Sequence, residues 1–429
     1  MTKILIDSGS FESKGWVAII IGLRNVINRC VPDAEIFIFS HDPERDREFC
    51  KKYGLKLIRS PWIWTGVQKN TSTIIYYGIV AFLDLIFSLI ISSINKLGIR
   101  IRCPIEDFDL VIHYNPDWYS DAERGTWKTI YPLMRLFILR TILKRALYAT
   151  LPSSMGPFKN KSTSIIARSV LNGLDLVALR IEDSYDAICS LHLSKPQVSL
   201  VNDLAFLCDP ISIEDVERIF KIENIRIGER TLVGFCPSRG PIGHAFEGSM
   251  DRCARYRNYI ECMANIIDYV VEKLDTNLVL ISHHDGDVDL CQQIYDSVIQ
   301  KQSVAYFRNE YNADELKGVI GHFDMFIGSL MHSTIASTSM GVPTIAIAYA
   351  NKFYGIIGNV MGQEDYIIDI RGKTREEFLC EIKCKIDELW ANRVKVREDL
   401  SEKAKIARKQ ALPYGKLIKK LLDEENQII

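Results

Sequence analysis

Short apolar segments that have the character of buried strands alternate with helical segments along both halves of the chain. The first 45 residues set the pattern, with the strand "KILIDSG", the helix "WVAIIIGLRNVINRCV" and the strand "AEIFIFS". A second series begins near Thr231 with "TLVGFCPS" and continues to "TIAIAY". Strands joined through helices form parallel sheets that are covered by helices on both faces. The alternation therefore predicts an α/β fold of two doubly wound domains.

The length of the chain agrees with two domains. With 429 residues it exceeds what one hydrophobic core ordinarily holds. We predict a first domain over residues 1–210 and a second over residues 229–429, with a linker near 211–228. The charged segment that starts with "TREEFLCEIKCKIDELW" has apolar residues at helical spacing, so the closing helices are expected to pack back across the domains.

Charge and cysteine usage narrow the function classes. The 53 basic and 54 acidic residues give a formal net charge of -1 and are spread along the chain, so nucleic acid is not an expected partner. Eleven cysteines occur without a CxxC pair or a metal-ligand spacing. We expect reduced thiols, a cytoplasmic location, no metal and no cofactor.

One long apolar segment differs from the rest of the chain, which has the composition of a soluble protein. Residues 74–94, "IIYYGIVAFLDLIFSLIISSI", carry a single charge, Asp84, and are long enough to span a bilayer. Asp84 near the centre of a spanning helix would be costly. A buried core helix, a helix dipping into one leaflet and a spanning helix all remain open, and the second implies peripheral contact with the inner face of the membrane.

A lone histidine stands between a buried strand and a short helix in "SLMHSTIASTSMGVP". Ligands of parallel sheets bind at the carboxyl ends of strands, where His332 lies, and a helix start offers free N–H groups to an anion. Ser333 adds a hydroxyl, and Lys352 follows the next strand at the same edge. The pattern suits acid/base chemistry on an anionic substrate. A packing histidine and an ordinary surface lysine are the alternatives.

Several motifs together resemble the polysaccharide pyruvyl transferases. "YNADELKGVIGHFDMFIGSLMHSTIASTSMGVPTIAIAYANKFYG" is similar to that family's carboxyl-terminal signature, with His-Ser, then Gly-Val-Pro, then Tyr followed by Lys. "SSMGPF", "LVALRIEDS" and "VNDLAFLCDP" resemble three further family segments, and they contribute Arg180, Ser184 and Asp203. The order and spacing of these segments carry the resemblance, which runs from about residue 4 to about residue 370.

The resemblance implies a fold and a reaction. The fold would be two Rossmann-like domains in a glycosyltransferase-B-like arrangement, with the acceptor side in the first domain and the donor side in the second. Phosphoenolpyruvate would be the donor substrate, bound in the cleft. The product would be a pyruvate ketal on a sugar of a cell-surface polysaccharide or of a free or lipid-linked glycan precursor, made in the cytoplasm at the inner face of the membrane.

The resemblance also assigns residues. His332 would be the acid/base, with Arg180, Ser333 and Lys352 contacting substrate. His283, in "SHHDGDVD", matches a family histidine, so we expect it to contact substrate rather than a metal.

Three departures from the family pattern affect the expected site. Leu330 replaces the arginine two places before the catalytic histidine, and Arg239 in "CPSRGPIGH" is the first candidate to replace that cation, with a surface charge as its alternative. "HYNPDWYSD" replaces a glycine-rich segment, with Asp121 keeping its acidic position. "SKGW" keeps Gly15 at a helix start but loses the acid of the family's Asn-x-Gly-Asp. We expect Asp121 and Gly15 to contact substrate.

Two other functions remain open from the sequence. One is a nucleotide-sugar-dependent glycosyltransferase of the same architecture, which would bind a diphosphate at a helix start. The other, suggested by Leu330, is a catalytically silent member of a glycan-assembly complex. The sequence does not specify the acceptor sugar or the oligomeric state.

Overall fold

A computed structural model describes residues 1–7, 11–60, 107–114, 119–225, 230–246 and 251–426. The chain forms two compact units. The first contains Met1–Ser10, Leu23–Asp203 and Leu412–Ile429, and the second contains Phe11–Gly22 and Leu204–Ala411. Relative to the predicted ranges 1–210 and 229–429, the second unit includes a short segment near the amino terminus, and the first includes the last helix.

The first unit is built on a parallel seven-stranded sheet with strand order β3-β2-β1-β4-β5-β6-β7. Its central strands are buried on both faces and are accordingly almost entirely apolar, such as "LVIH" and "LVAL". The strands are β1 (Lys3–Ile6), β2 (Glu35–Ser40), β3 (Lys56–Arg59), β4 (Leu110–His113), β5 (Leu147–Thr150), β6 (Leu176–Leu179) and β7 (Gln197–Leu200).

Helices connect these strands. Side-chain caps fix two of the helix starts, because Asp42 accepts a hydrogen bond from the Arg45 amide and Asn160 accepts one from the Ser162 amide. The helices are α1 (Lys14–Cys30), α2 (Pro43–Lys52), α3 (Asp121–Arg124), α4 (Thr126–Ile142), α5 (Lys161–Leu171) and α6 (Glu182–Cys189). Helix α1 begins in the second unit and ends in the first.

The second unit has a parallel six-stranded sheet with strand order β10-β9-β8-β11-β12-β13. Its strands are β8 (Leu232–Cys236), β9 (Asn277–Leu280), β10 (Val304–Tyr306), β11 (Met325–Gly328), β12 (Thr344–Ala348) and β13 (Ile367–Asp369). Its helices are α7 (Ile213–Ile222), α8 (Arg252–Leu274), α9 (Val288–Ser297), α10 (Ala313–Ile320), α11 (Met331–Ser339) and α12 (Arg375–Ala411). The predicted class of two doubly wound α/β domains is confirmed.

The closing helices pack on different units. The 37-residue α12 packs on α8 and α11 of the second unit and buries Phe378, Ile382 and Leu400 along one side. Helix α13 (Pro413–Asn426) packs in the first unit, where the Tyr414 hydroxyl donates to the Thr150 carbonyl at 2.9 Å. The chain thus returns to its first unit at the end, in keeping with the packing predicted for the closing helices.

The apolar segment at residues 74–94 lies outside the described residues. Within the described ranges, no helix is both long enough and apolar enough to cross a membrane. The ten cysteines of the described part are free thiols.

Candidate functional site

The candidate catalytic histidine lies where β11 passes into α11 in the second unit. Leu330 is extended and forms the N-cap position, and α11 starts at Met331, so His332 stands in the first turn of the helix. Because the sheet is parallel, the residues after β9, β8, β11 and β12 lie along one carboxyl edge of four adjacent strands. His283, Arg239, His332 and Lys352 follow these four strands in that order.

Gly15 contacts His332. A Cβ atom at residue 15 would lie 2.5 Å from both Cγ and Nδ1 of the His332 ring. Gly15 is in the first turn of α1, so two helices of 17 and nine residues begin at this point. Each helix start carries partial positive charge and N–H groups without a partner in the helix. The two starts together favour an anion beside the imidazole.

His283 is fully buried beside this point. Its carbonyl accepts a hydrogen bond from the Lys14 amide at 3.1 Å, which joins the end of β9 to the start of α1. Burial, and then the charges of His332 and Lys14, lower the pKa of His283 to about 3. Its Nδ1 has no hydrogen-bond partner among the described residues. His283 is therefore neutral at physiological pH.

Lys14 was not predicted from the sequence, and it lies in one cluster with Gly15, His332 and His283. Its side chain is largely buried, and Nζ forms an ion pair with Asp285 at 2.9 Å. The pairing is supported by the backbone, since the Asp285 amide donates to the Glu12 carbonyl at 2.9 Å. The only signal in the sequence was its position in "SKGW", one residue before the glycine that contacts His332.

Ser333 points into the fold. It is completely buried, and its hydroxyl donates to the Leu330 carbonyl at 2.7 Å. The hydroxyl hydrogen is thus used to close the first turn of α11.

Arg239 is held by its own surroundings. Its Nε donates to the Gly286 carbonyl at 2.8 Å, its Nη2 pairs with Asp289, and its backbone amide donates to Asp287 at 3.0 Å. The guanidinium carbon also lies 5.5 Å from the centre of the Tyr256 ring. Two carboxylates already balance this charge, which makes Arg239 a weaker replacement for the missing arginine than the sequence suggested.

Lys352 follows β12 and belongs to a small aromatic cluster. Its Nζ lies 5.9 Å from the centre of the Tyr349 ring, and that ring stacks on His244 with 6.2 Å between centroids. Gly240 leaves room for the stack, because a Cβ there would be 2.5 Å from the Tyr349 hydroxyl oxygen. Lys352 and His244 therefore add two polar side chains to the carboxyl edge of the sheet, in the connections that follow β12 and β8.

The family-like segments of the first unit are brought together by a buried ion pair. Arg180 follows β6, and its Nη1 donates to Asp203 at 2.6 Å while its Nε donates to Ser154 at 3.1 Å. Arg180 is 4% exposed and Asp203 is 0% exposed. Ser184 accepts a hydrogen bond from the Met155 amide at 2.9 Å. The contacts link all three segments, and they occupy the guanidinium within the protein.

Asp121 also has internal partners. Its two carboxylate oxygens accept hydrogen bonds from the Lys159 and Asn160 amides, both at 2.8 Å. The side chain therefore fixes the turn that leads into α5. Contact of Asp121 with substrate remains a prediction.

A buried polar network at the carboxyl ends of β1 and β4 was not predicted. Asp7 bonds to His113 Nδ1 at 2.5 Å, and His113 Nε2 bonds to the Tyr119 hydroxyl at 2.7 Å. All three residues are at least 96% buried, and burial raises the pKa of Tyr119 well above its usual value. Asp7 follows β1 and His113 ends β4, so their contact depends on these two strands being neighbours in the sheet.

Among the described residues, no group of three or more His, Cys, Asp or Glu side chains is arranged to hold a metal ion. The acidic and histidine residues of "SHHDGDVD" instead serve the contacts above and a short turn, in which His284 accepts from the Gly286 amide at 2.9 Å.

Comparison with known proteins identifies the family. The family model described as polysaccharide pyruvyl transferase matches residues 17–351. The chain belongs to the polysaccharide pyruvyl transferase family. That description is of a family of transferases that act on polysaccharides. A curated relative is the amylovoran biosynthesis protein AmsJ of Erwinia amylovora, 23% identical over 261 residues. The alignment covers 59% of this chain and only 60% of AmsJ.

Solved structures share the fold of this family member. UDP-GlcNAc 2-epimerase from Neisseria meningitidis, bound to UDP-GlcNAc, has a TM-score of 0.60 at 10% identity, and the match covers 99% of this chain and 100% of the epimerase. HepE from Anabaena, in complex with UDP-glucose, has a TM-score of 0.54 at 13% identity, with 100% of both chains covered. At this identity the similarity concerns the fold, and it confirms the predicted glycosyltransferase-B-like class.

Proposed function

We propose that the protein transfers a pyruvyl group from phosphoenolpyruvate to a sugar of a cell-surface polysaccharide or of its precursor, forming a pyruvate ketal. The observation that carries the proposal is the contact between Gly15 and His332, at which two helix starts meet beside Lys14. Phosphoenolpyruvate has a carboxylate and a phosphate, and both need positive partners.

The reaction needs a proton at one carbon and the loss of phosphate at the next. The oxygen of a sugar hydroxyl loses its proton and bonds to C2 of phosphoenolpyruvate, while C3 takes up a proton, so that the C2–C3 double bond becomes single and C3 becomes a methyl group. Phosphate then leaves C2 with its bonding electrons, and a second sugar hydroxyl bonds to C2 and releases its proton. Each ketal therefore consumes one phosphoenolpyruvate and releases one phosphate, with no cofactor in the balance.

His332 is suited to the proton transfers, because an imidazole ring can both donate and accept a proton. Lys14 and the positive ends of the two helices would hold the donor. Lys14 would supply the cation that Leu330 lacks by exchanging its partner Asp285 for the donor. Lys352 lies at the same sheet edge and would contact the donor from the other side. Neutral His283 would be a positioning residue, since it packs in the cluster without adding charge.

The reaction would take place in the cytoplasm, for which the free thiols of the described part are suited. The acceptor would be a free or lipid-linked sugar.

Ligand-dependent thermal unfolding tests the choice of donor. We expect Tm to rise with phosphoenolpyruvate concentration, with about 2.7 kcal/mol of added stability at a concentration of 100 times Kd. UDP-glucose should have no effect on Tm. Stabilisation by UDP-glucose alone would instead support a nucleotide-sugar glycosyltransferase. No stabilisation by either ligand, with a glycan-assembly partner captured, would support the catalytically silent role.

A further inference from the structure

One face of the first unit has an unusual charge. Residues 125–174 contain eight lysines and arginines and no aspartate or glutamate. The whole chain is nearly neutral, so this stretch is a local departure from its composition. It contains α4 and α5, which pack against each other.

The two helices lie side by side along their length. Near their starts, the Asn160 side chain donates to the Thr126 hydroxyl at 3.4 Å. At the other end, a Cβ atom at Gly173, just beyond α5, would overlap the guanidinium of Arg140 near the end of α4. Because both ends are in contact, the outward sides of α4 and α5 form one continuous surface, called the α4–α5 face below.

Large apolar side chains are exposed on the α4–α5 face. Trp127 is 67% exposed, Phe137 is 43% exposed, and Ile165 on α5 is 60% exposed. Between Trp127 and Phe137, the half-buried Ile130 and Met134 continue the stripe at helical spacing. A surface helix of a soluble protein ordinarily places charged residues on this side.

Exposed basic side chains occur in the same stretch as the apolar stripe. The exposed ones are Lys128, Lys144, Arg145, Lys159, Lys161 and Arg168. Asp121, which lies near the helix starts, directs its carboxylate to the Lys159 and Asn160 amides. The face therefore combines exposed cations with an aromatic and apolar centre.

We propose that the α4–α5 face docks on an anionic bilayer surface. Tryptophan and phenylalanine enter the interfacial layer of a bilayer, and lysine and arginine beside them bind lipid phosphates. Charge complementarity favours this partner, because the face has cations but no exposed acid within residues 125–174. Docking would bring the transferase to sugars carried on lipids. The proposal is independent of the donor and uses none of the residues 74–94.

Vesicle co-sedimentation of the full chain tests the proposal. We expect binding to vesicles that contain phosphatidylglycerol, weakened by salt, and no binding to phosphatidylcholine vesicles. The triple substitution Trp127→Ser, Phe137→Ser and Ile165→Ser should weaken binding at least ten-fold. Lys128→Gln, Lys161→Gln and Arg168→Gln together should do the same. The single Trp127→Ser variant should weaken binding in the same direction if the triple variant does not fold.

Matched controls come from the exposed side of α12 in the second unit. Val394→Ser with Ile406→Ser removes exposed apolar side chains, and Lys395→Gln, Lys403→Gln and Lys409→Gln remove three exposed charges. Both controls should bind vesicles as the unchanged protein does. Unchanged binding by the α4–α5 variants would overturn the proposal, as would equal binding to neutral vesicles, or binding to RNA but not to vesicles. Because no donor is present, a negative vesicle result leaves the transferase proposal unaffected.

Discussion

Gly15 lies directly against His332, and it contacts the Cβ atom of the histidine as well as the ring. A Cβ atom at residue 15 would be 2.6 Å from the Cβ of His332 in addition to 2.5 Å from Cγ and Nδ1. Rotating the imidazole cannot relieve a clash with its own Cβ. Any side chain at residue 15 must therefore displace His332 or the start of α1.

Gly15→Ala should inactivate the enzyme without unfolding it. We expect kcat/KM to fall at least about 100-fold, because small displacements of a catalytic group have effects of that size. Overpacking should lower the free energy of unfolding by about 1–3 kcal/mol. Gly243→Ala is the matched control, since a Cβ there meets nothing within 4 Å. Equal activity of the two variants would show that the contact is unimportant.

Lys14→Met should weaken binding of phosphoenolpyruvate. Loss of one hydrogen bond to a charged group costs about 1.5–3 kcal/mol, which corresponds to roughly a 10- to 150-fold rise in Kd. Lys14→Arg should retain part of the affinity. Arg239→Met should have a smaller effect than Lys14→Met, since two carboxylates, of Asp287 and Asp289, lie beside Arg239, whereas Lys14 pairs with Asp285 alone among the described ion pairs. Isothermal titration measures all three, and a larger effect at Arg239 would reverse the assignment.

His283 should make the second unit less stable in acid. Its pKa in the folded protein, about 3, is below the ordinary value of 6.5, so the unfolded chain takes up the proton first as pH falls. The contribution is complete above about pH 6.5 and is lost below it, by up to about 1.4 kcal/mol per pH unit. In His283→Gln, the free energy of unfolding measured with urea should depend less on pH between about pH 3 and pH 6.5. In the control His244→Gln, at an exposed residue, the pH dependence should match that of the unchanged protein. Titration of His283 near pH 6.5 by NMR would contradict this.

The pair of Arg180 and Asp203 should stabilise the first unit. Removing one partner leaves a buried charge, so Arg180→Met or Asp203→Asn should lower the free energy of unfolding by about 3–5 kcal/mol. The double variant Arg180→Met with Asp203→Leu should recover much of that loss. Lys405→Met, at an exposed pair with Glu402, should leave stability unchanged within error. If Arg180 served substrate alone, its variant would lose activity and keep its stability.

The central strands of both sheets could be predicted from the sequence, but most of the edge strands could not. Central strands such as β4, β6, β8 and β11 are buried on both faces and therefore appear as continuous apolar runs. The strands β3, β7 and β13, which were not predicted, all lie at sheet edges. "KLIR" and "QVSL" are exposed at their ends, so their polar residues hide the strand pattern.

The position of His332 could be predicted because a helix start after a strand is a local feature. The contacts of its neighbours could not, because they join residues far apart in sequence. Lys14 reaches Asp285, and Asp7 reaches His113, only after the parallel strands are aligned. Ser333 and Asp121 look available in the sequence, yet their hydrogen bonds are formed within the fold.

The most direct test of the proposed pyruvyl transfer is release of phosphate from phosphoenolpyruvate, measured with a pool of free and lipid-linked sugar acceptors. We predict phosphate release that requires both donor and acceptor, and that falls at least about 100-fold in His332→Ala because general acid/base catalysis is lost. No release by the unchanged protein with any acceptor, or release by His332→Ala at the unchanged rate, would contradict it.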